Sequence, residues 1–287
     1  MNQKHTVAIS GASGLIGSRL TKHFQVKKWE VIPLNRKDFA GSAEALAQKI
    51  EQAGIVINLA GAPIIKRWTK KHKQEIYNSR ILTTQKLVQA IEVAGKKPFL
   101  LLSVSGVNIY NDIGVHDEHS KGFAVDFLGK VCIDWEAQAE KASAMTRIAI
   151  ARLGVVLARE GGALKTMLLP FRLGIGGKIA GGKQPFSWIH IDDVVNAMEF
   201  IILNTQMRGV YNLVAPGMIN NREFTVAFGK ALKRPAWFTI PAFALRLLFG
   251  EAAVTLTGGP KVIPKRLEKA RFEFKHPKIN QALEDLL

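Results

Sequence analysis

An α/β fold with a doubly wound parallel sheet is predicted by three features of the chain. Short apolar runs alternate with helical stretches through the first half. These runs are near-continuously apolar, as strands covered on both faces require. The first, Thr6–Ser10 (TVAIS), ends at glycines that open a helix.

Taken in order, Thr6–Ser10 is the first strand and Leu15–Lys28 the first helix. Val31–Leu34 and Ile55–Leu59 are the next strands. Lys70–Ala94 reads as a long helix with Ile76, Leu82, Leu87, Val88 and Ile91 on roughly one face. Phe99–Ser103 is the fourth strand, Phe127–Ala142 a helix and Arg147–Leu153 the fifth strand. Seven glycines between Gly161 and Gly182 read as a mobile crossing, over about 161–185. Asp192–Leu203 is a further helix and Tyr211–Val214 the last strand. The division expected is 1–215 for the nucleotide-binding part and 216–287 for a small, mostly helical C-terminal substrate lobe, punctuated by Pro235, Pro241, Pro260 and Pro264.

Length and composition bound the class. The 287 residues suit one large α/β domain with a small appendage. Hydrophobic residues at 47% and charged residues at 22% exclude disorder as the main state. No apolar run approaches the ~20 residues of a membrane span. Met1–His5 leads straight into a strand, so no signal peptide is expected. The one cysteine, Cys132, excludes an internal disulfide and fits a reducing cytoplasm. The formal charge of +17 favours anionic ligands. Lys and Arg are spread along the whole chain without a zinc-finger, arginine-rich or RNP-type motif, so specific nucleic-acid recognition is not expected.

Gly11-Ala-Ser13-Gly14-Leu15-Ile16-Gly17 carries the most weight. Gly11 permits the tight turn, Gly14 lets the backbone approach a pyrophosphate, and Gly17 lets the helix pack close to the strand. The helix N-terminus supplies N–H donors and a positive dipole end. A carboxylate closing the second strand would favour NAD. Here Asn35-Arg36-Lys37 stands first and Asp38 follows. Arg36 can fork onto a 2′-phosphate, with Lys37 or Arg19 adding charge, which favours NADP. Otherwise Arg36 and Lys37 are ordinary surface cations.

Further motifs follow in order: Val56–Gly61, Arg67-Trp68-Thr69, Ser79-Arg80, Arg152–Leu157, Pro170–Gly174, Trp188–Asp193, Arg234-Pro235 and Gly250-Glu251. Over nearly its whole length the chain resembles the atypical extended short-chain dehydrogenase/reductases called epimerase family proteins, which are NAD-dependent epimerase/dehydratase-like. From about Phe238 it resembles their short C-terminal domain. The resemblance implies a Rossmann core, a substrate lobe and an NADP(H) site. Gly11, Ser13, Gly14, Leu15, Ile16, Gly17, Asn35 and Arg36 would line the pyrophosphate and adenosine ends. Leu59, Ala60 and Gly61 would sit near the adenine or ribose. Many relatives have an acidic residue where this chain has Ala62, so no contact is carried over there.

Typical members of the superfamily use a Tyr, with a Lys four residues later, to move the substrate's hydroxyl proton. No Tyr-x-x-x-Lys occurs in this chain. Aligned on Glu136, the Lys position holds Cys132 and the Tyr position Leu128. The resembling family shows this same loss. It often has Cys in the Lys place, keeps the serine (here Ser105, or Ser103) and has an Arg in the Asn place (here Arg80). Leu128 cannot carry a proton. Cys132 can, as a thiol sensitive to nearby cations, or it is simply a small buried residue. Tyr110 lies just past the fourth strand as a replacement acid or a packing residue.

His190 in Trp188–Asp193 reads as packing between lobes, with an aspartate capping the next helix. His116–His119 lacks partners for a metal site, and no metal is expected. Ala242–Gly250 (AFALRLLFG) reads as a core or interface helix rather than a membrane anchor. The resulting expectation is an NADP(H)-binding oxidoreductase, or epimerase/dehydratase-like enzyme, acting on a small hydroxyl or carbonyl substrate. The alternative is a non-catalytic NADP(H) sensor or scaffold. Oligomeric state is not readable from the chain.

Overall fold

The computed structural model describes residues 5–287, so Met1–Lys4, including most of the expected leaderless start, lie outside the described residues. Six strands form the central sheet: β1 Thr6–Ser10, β2 Glu30–Leu34, β3 Ile55–Asn58, β4 Leu100–Gly106, β5 Arg147–Leu153 and β6 Gly209–Leu213. Their spatial order is β6-β5-β4-β3-β1-β2 and every pairing is parallel. The order reverses between β1 and β3, the switch point where open α/β sheets take their ligands. The register sets Leu34, Ser10, Asn58 and Ser103 side by side at the carboxyl ends.

Helices of eight residues or more are α1 Leu15–Val26, α2 Ala43–Ile50, α3 Lys70–Val93, α4 Phe127–Glu140, α5 Gly162–Arg172, α6 Ile191–Leu203, α7 Asn221–Ala231, α8 Ala242–Phe249 and α9 Ile279–Leu286. Alternate strand residues feed two cores. Val7, Ile9, Ile55, Ile57, Leu100 and Leu102 pack with Phe24, Val194 and Met198. Ala8, Val56, Leu101 and Ile150 pack with Leu46, Ile50, Leu87 and Ile91. This period of two, with helices on both faces, is why the strand sequences carry almost no polar residues. On α3 the inner face runs through Arg80, Ile81 and Thr84, and Leu82, expected there, faces solvent.

The glycine-rich stretch is not a bare crossing. It folds into α5 and a strand, Gly177–Ile179, which pairs in parallel with Phe238–Ile240. Gly177 must be glycine, because a Cβ there would lie 2.1 Å from the Phe238 carbonyl oxygen. Helix α8 buries only Leu245, while Phe243, Leu247 and Leu248 are exposed, so of the two expectations, core or interface helix, the core one is not met. Further on, Lys261–Val262 pairs with Val115–His116. Leu267 and Phe272 then join the sheet core, and Leu283 and Leu286 of α9 join Phe224 and Phe228 of α7 in a third apolar cluster.

Charged groups are buried where β5 meets α4. The Arg152 guanidinium donates to both Glu136 carboxylate oxygens, at 2.8 and 2.7 Å, and to the Tyr110 hydroxyl at 2.6 Å. Tyr110 donates in turn to Asn212 Oδ1 at 2.9 Å. Burial opposes the Arg152 charge, but Glu136 and Tyr110 outweigh it and hold the guanidinium pKa above its usual value.

The start of α6 is fastened to the C-terminal segment. The Asp193 carboxylate accepts from the Lys275 and His276 backbone N–H groups at 2.7 and 2.9 Å. The cap of α6 is His190 rather than an aspartate, for its Nδ1 accepts the Asp192 N–H at 3.1 Å. The His190 proton therefore sits on Nε2, 3.3 Å from the Asp285 carboxylate. A protonated nitrogen has no lone pair for a metal. His190, Asp192, His276 and Asp285 thus meet where the start of α6 packs on the C-terminal segment, with the Nε2 of His190 turned to a carboxylate.

Two predictions follow from these groups. Glu136→Gln should cost about 3–5 kcal/mol, because it leaves a buried guanidinium without its counter-charge. Urea denaturation checks this, and the double variant Glu136→Leu/Arg152→Met should recover most of the loss. Burial, followed by His276, lowers the His190 pKa from 6.5 to about 4. Below pH 6.5 the unfolded chain takes up this proton before the folded chain does, so stability falls as pH drops from 6.5 toward 4, by up to about 3 kcal/mol. His190→Asn keeps a capping side chain and should flatten the fall in melting temperature over that range.

Candidate functional site

The carboxyl ends of β1, β2 and β3 and the N-terminus of α1 meet at the switch point. Gly11 has a φ of +72° and lies against the Leu59 carbonyl, where a Cβ would come within 3.0 Å. A Cβ on Gly17 would sit 2.2 Å from the Gly11 carbonyl oxygen, so only glycine lets α1 press onto the turn. No side chain caps α1 and its first turn holds no acidic residue. Gly14 N–H is spent on Gly11 O, at 3.0 Å, and Ser18 N–H on Gly14 O, at 2.9 Å. The N–H groups of Leu15, Ile16 and Gly17 between them have no partner among the described residues and point out of the helix end. Ser13 and Gly14 are exposed, while Leu15 and Ile16 anchor the turn by packing on the cluster beneath α5.

At the end of β2, Asn35, Arg36 and Lys37 are exposed. Arg36 has neither a hydrogen-bond nor an ion-pair partner among the described residues. Asp38 is not free to meet a ribose. One carboxylate oxygen accepts the Asn35 N–H at 2.7 Å and the other accepts from Lys49 at 2.7 Å. Burial opposes the Asp38 charge, but these bonds win and its pKa is lowered. Arg19, offered above as an added charge, is committed to Glu160 at 3.1 Å and Asp192 at 2.5 Å.

A buried polar chain that the sequence reading missed braces these strand ends. Ser10 Oγ donates to Asn58 Oδ1 at 2.7 Å and accepts the Leu59 N–H at 3.2 Å. Asn58 Nδ2 donates to Thr84 Oγ1 at 2.8 Å and to Ser103 Oγ at 3.3 Å. Trp135 Nε1 donates to the same Thr84 oxygen at 2.9 Å, which itself donates to the Arg80 carbonyl at 2.7 Å. The available signal was Asn58, a polar residue closing the otherwise apolar run IVIN.

Ser105, Cys132 and Arg80 come together at the end of β4. Cys132 Sγ lies 3.6 Å from the position of a Cβ on Gly106 and beside Ser105. Burial pushes its thiol up to about 11, with Glu136 adding to the rise and Gly106, Ser105 and Arg80 opposing it. Cys132 is thus a neutral thiol, not a thiolate. Ser105 Oγ is buried without a hydrogen-bond partner, whereas Ser103 is taken up by Asn58. Arg80 donates to the Ile76 and Ala62 carbonyls at 3.1 and 3.0 Å, lies over Trp135 at 5.3 Å and lines the underside of Gly61. Burial lowers its pKa, while Cys132 opposes the shift. It braces the Ala60–Ala62 loop, and Ser79 Oγ accepts the Ala62 N–H at 2.9 Å.

The reading of Tyr110 as a replacement acid is corrected here. Its ring is buried and stacked on His116 at 4.9 Å, and its hydroxyl is spent on Arg152 and Asn212. Burial raises its pKa despite the Arg152 charge. It belongs to the core, not to an open site.

A cleft of about 470 Å³ opens between the N-terminus of α4 and the C-terminal segment, lined by Trp68, Asp126, Phe127, Arg246, Gly250 and Glu251 among others. Along α4, Phe127 is only about 7.5 Å from Cys132. Lys73 pairs with Glu251 across the rim, and Arg67 donates to the Leu247 carbonyl at 3.1 Å.

Residues 7–213 match the NAD dependent epimerase/dehydratase family, and residues 240–286 match a domain of unknown function, DUF1731. The chain is 37% identical to the Arabidopsis thaliana epimerase family protein SDR39U1 homolog, chloroplastic, over 98% of this chain and 86% of that one. It is 36% identical to the mouse epimerase family protein SDR39U1, over 98% and 99%. The crystal structure of human epimerase family protein SDR39U1 with NADPH superposes with a TM-score of 0.92, at 34% identity over 98% of each chain. Together with the glycine cradle at the switch point, these matches place the chain in the NAD dependent epimerase/dehydratase family, alongside the epimerase family proteins.

Proposed function

We propose that this chain binds NADP(H) at the α1 N-terminus and uses it in a dehydrogenase/reductase-type reaction on a small carbonyl or hydroxyl compound. One observation carries the cofactor reading: unpartnered backbone N–H groups at Leu15, Ile16 and Gly17 face the same switch point as the unpartnered Arg36. The turn that presents these groups is itself held by Gly11 and Gly17, where a Cβ would meet the chain's own backbone. NADPH in the human relative is consistent with this. Arg36, with Lys37 and Asn35 beside it, would meet the 2′-phosphate, while Ser13, Gly14, Leu59, Ala60 and Gly61 would line the rest.

Bound there, the dinucleotide supplies or accepts hydride. The chain's own contribution is to position and to donate. Ser105 Oγ, left without a partner, would hydrogen-bond the substrate oxygen. The Cys132 thiol, near 11, would give its proton only to a stronger base such as a nascent alkoxide. It stays protonated at neutral pH and is no base. The arrangement therefore suits reduction of a carbonyl better than oxidation of an alcohol. Arg80 acts by holding Gly61 and lowering the cost of charge beside Cys132.

A second reading has a specific observation behind it. Leu128 occupies the usual Tyr position, and the side chains of Ser105 and Cys132 are both buried. A protein that binds NADP(H) without turnover needs no more than this.

In a fluorescence titration, Arg36→Ala should weaken NADPH binding about ten- to hundredfold, the size of a lost charged contact, and leave NADH binding nearly unchanged. Equal loss for both dinucleotides, or none, would remove the 2′-phosphate role. Native Cys132 should resist alkylation below pH 9 by intact mass and react once unfolded. In a screen of carbonyl compounds, Ser105→Ala should lower kcat/KM for NADPH oxidation at least tenfold, the effect of one hydrogen bond to charge developing on oxygen. If no carbonyl compound is turned over while NADPH binds, the second reading holds.

A further inference from the structure

Two stretches of the chain, 161–191 and 224–250, contain no aspartate or glutamate and carry Lys165, Arg172, Lys178, Lys183, Lys230, Lys233, Arg234 and Arg246. None of these cations has an ion-pair partner among the described residues. The same stretches hold the largest concentration of exposed apolar side chains. At the end of α5 they are Leu169 and, at its C-cap, Leu173, with Ile175 following. On and after the strand Phe238–Ile240 they are Trp237 at 89% exposure, Phe238, and then Phe243, Leu247 and Leu248 of α8.

These segments are neighbours. Phe238 pairs with Gly177, the Ala180 N–H donates to the Ile240 carbonyl at 2.9 Å, and Gly174 faces the Pro235 ring. Pro241 then caps α8 directly. Phe243 and Leu247, one turn apart, share one stripe of that helix opposite the inward Leu245, and the exposed Leu248 flanks it.

We infer that this face is a docking surface for an anionic phospholipid bilayer, on which the protein lies peripherally. Exposed apolar side chains flanked by unpaired cations suit the boundary between headgroups and acyl chains. An indole such as that of Trp237 favours the same depth. Charge selects this occupant over a second copy of the chain. A two-fold contact through the face would set most of its cations against their own images, the flanking Glu223 being held in its helix cap and Glu251 by Lys73. No helix among the described residues is long and apolar enough to cross a membrane, so the association lies on the surface.

The test uses the full chain with phosphatidylcholine vesicles, with and without phosphatidylglycerol, in flotation and in tryptophan quenching by bromolipids, the Trp237 share among five tryptophans being read as the difference from Trp237→Phe. Binding is expected to the mixed vesicles alone, with quenching of Trp237 and a marked fall as salt rises. Trp237→Ser/Leu247→Ser should weaken it at least about tenfold. Lys233→Gln/Arg234→Gln should weaken it and make the salt dependence shallower. NADPH titration and circular dichroism on the same variants show whether each remains folded. No binding to the mixed vesicles at low salt would overturn the inference. Binding that the Trp237/Leu247 variant leaves unchanged would also do so, since it would be adsorption by charge alone. Self-association lost in that variant, without vesicle binding, would assign the face to a second copy.

Discussion

The bidentate pair between Arg152 and Glu136 sets the geometry on which the candidate chemistry depends. Two charges withdrawn from water must be answered with well-placed partners, or the structure loses several kcal/mol. That demand is met in one arrangement only. β5 presents Arg152, α4 presents Glu136 one turn beyond Cys132, and the Val107–Tyr110 turn after β4 presents the phenol. Asn212 of β6 closes the set. Fixing Glu136 over β5 fixes the rotation of α4 and thereby aims Cys132 at Gly106 and Ser105. Lys130, two residues earlier on the same helix, is left in solvent.

A second, lighter constraint holds the other end of the site. Packing α1 onto the turn needs Gly17 to approach the Gly11 carbonyl, which shields that oxygen and leaves the next three N–H groups unanswered. Unanswered donors at a helix end bind water or an anion. The chain from Ser10 through Asn58 to Thr84 keeps β1, β3 and α3 in register beneath them. It also hands Thr84 to the Arg80 carbonyl, so the cofactor cradle and the Ser105 corner share one polar scaffold.

Much of this was legible in the chain because its causes are local. The strands Thr6–Ser10 and Arg147–Leu153 end where apolar runs end, and the Gly11–Gly17 spacing is itself the steric requirement. What stayed hidden depends on residues distant in sequence. Tyr110 reads as either an acid or a packing residue until Arg152, 42 positions on, takes its hydroxyl. Asp192 and Asp193 read as caps by type, yet the imidazole of His190 caps the helix while Asp193 reaches Lys275 and His276, 82 and 83 positions away. Apolar composition left α8 open between a core and an interface helix. Exposure is decided by what packs against a helix, which composition does not carry.

The net charge of +17 likewise divides into parts that do different work. One part answers backbone. Helix α6 has no basic residue in its last turn, yet Arg147 reaches across from the start of β5 to the carbonyls of Ile201, Ile202, Asn204 and Met207. Arg266 does the same for Arg208 and Val210, and Lys97 for Glu92 and Ala94. Such cations neutralise helix ends and loops from outside and are unavailable to a ligand. A second part, Arg36 with Lys37, stands exposed at the switch point. A further part, the eight cations of the acid-free stretches beside exposed Leu, Phe and Trp, answers nothing within the fold. A charge with no internal partner costs little on a hydrated surface. Set beside apolar side chains that water also disfavours, it describes a surface suited to an interface that is itself both anionic and apolar.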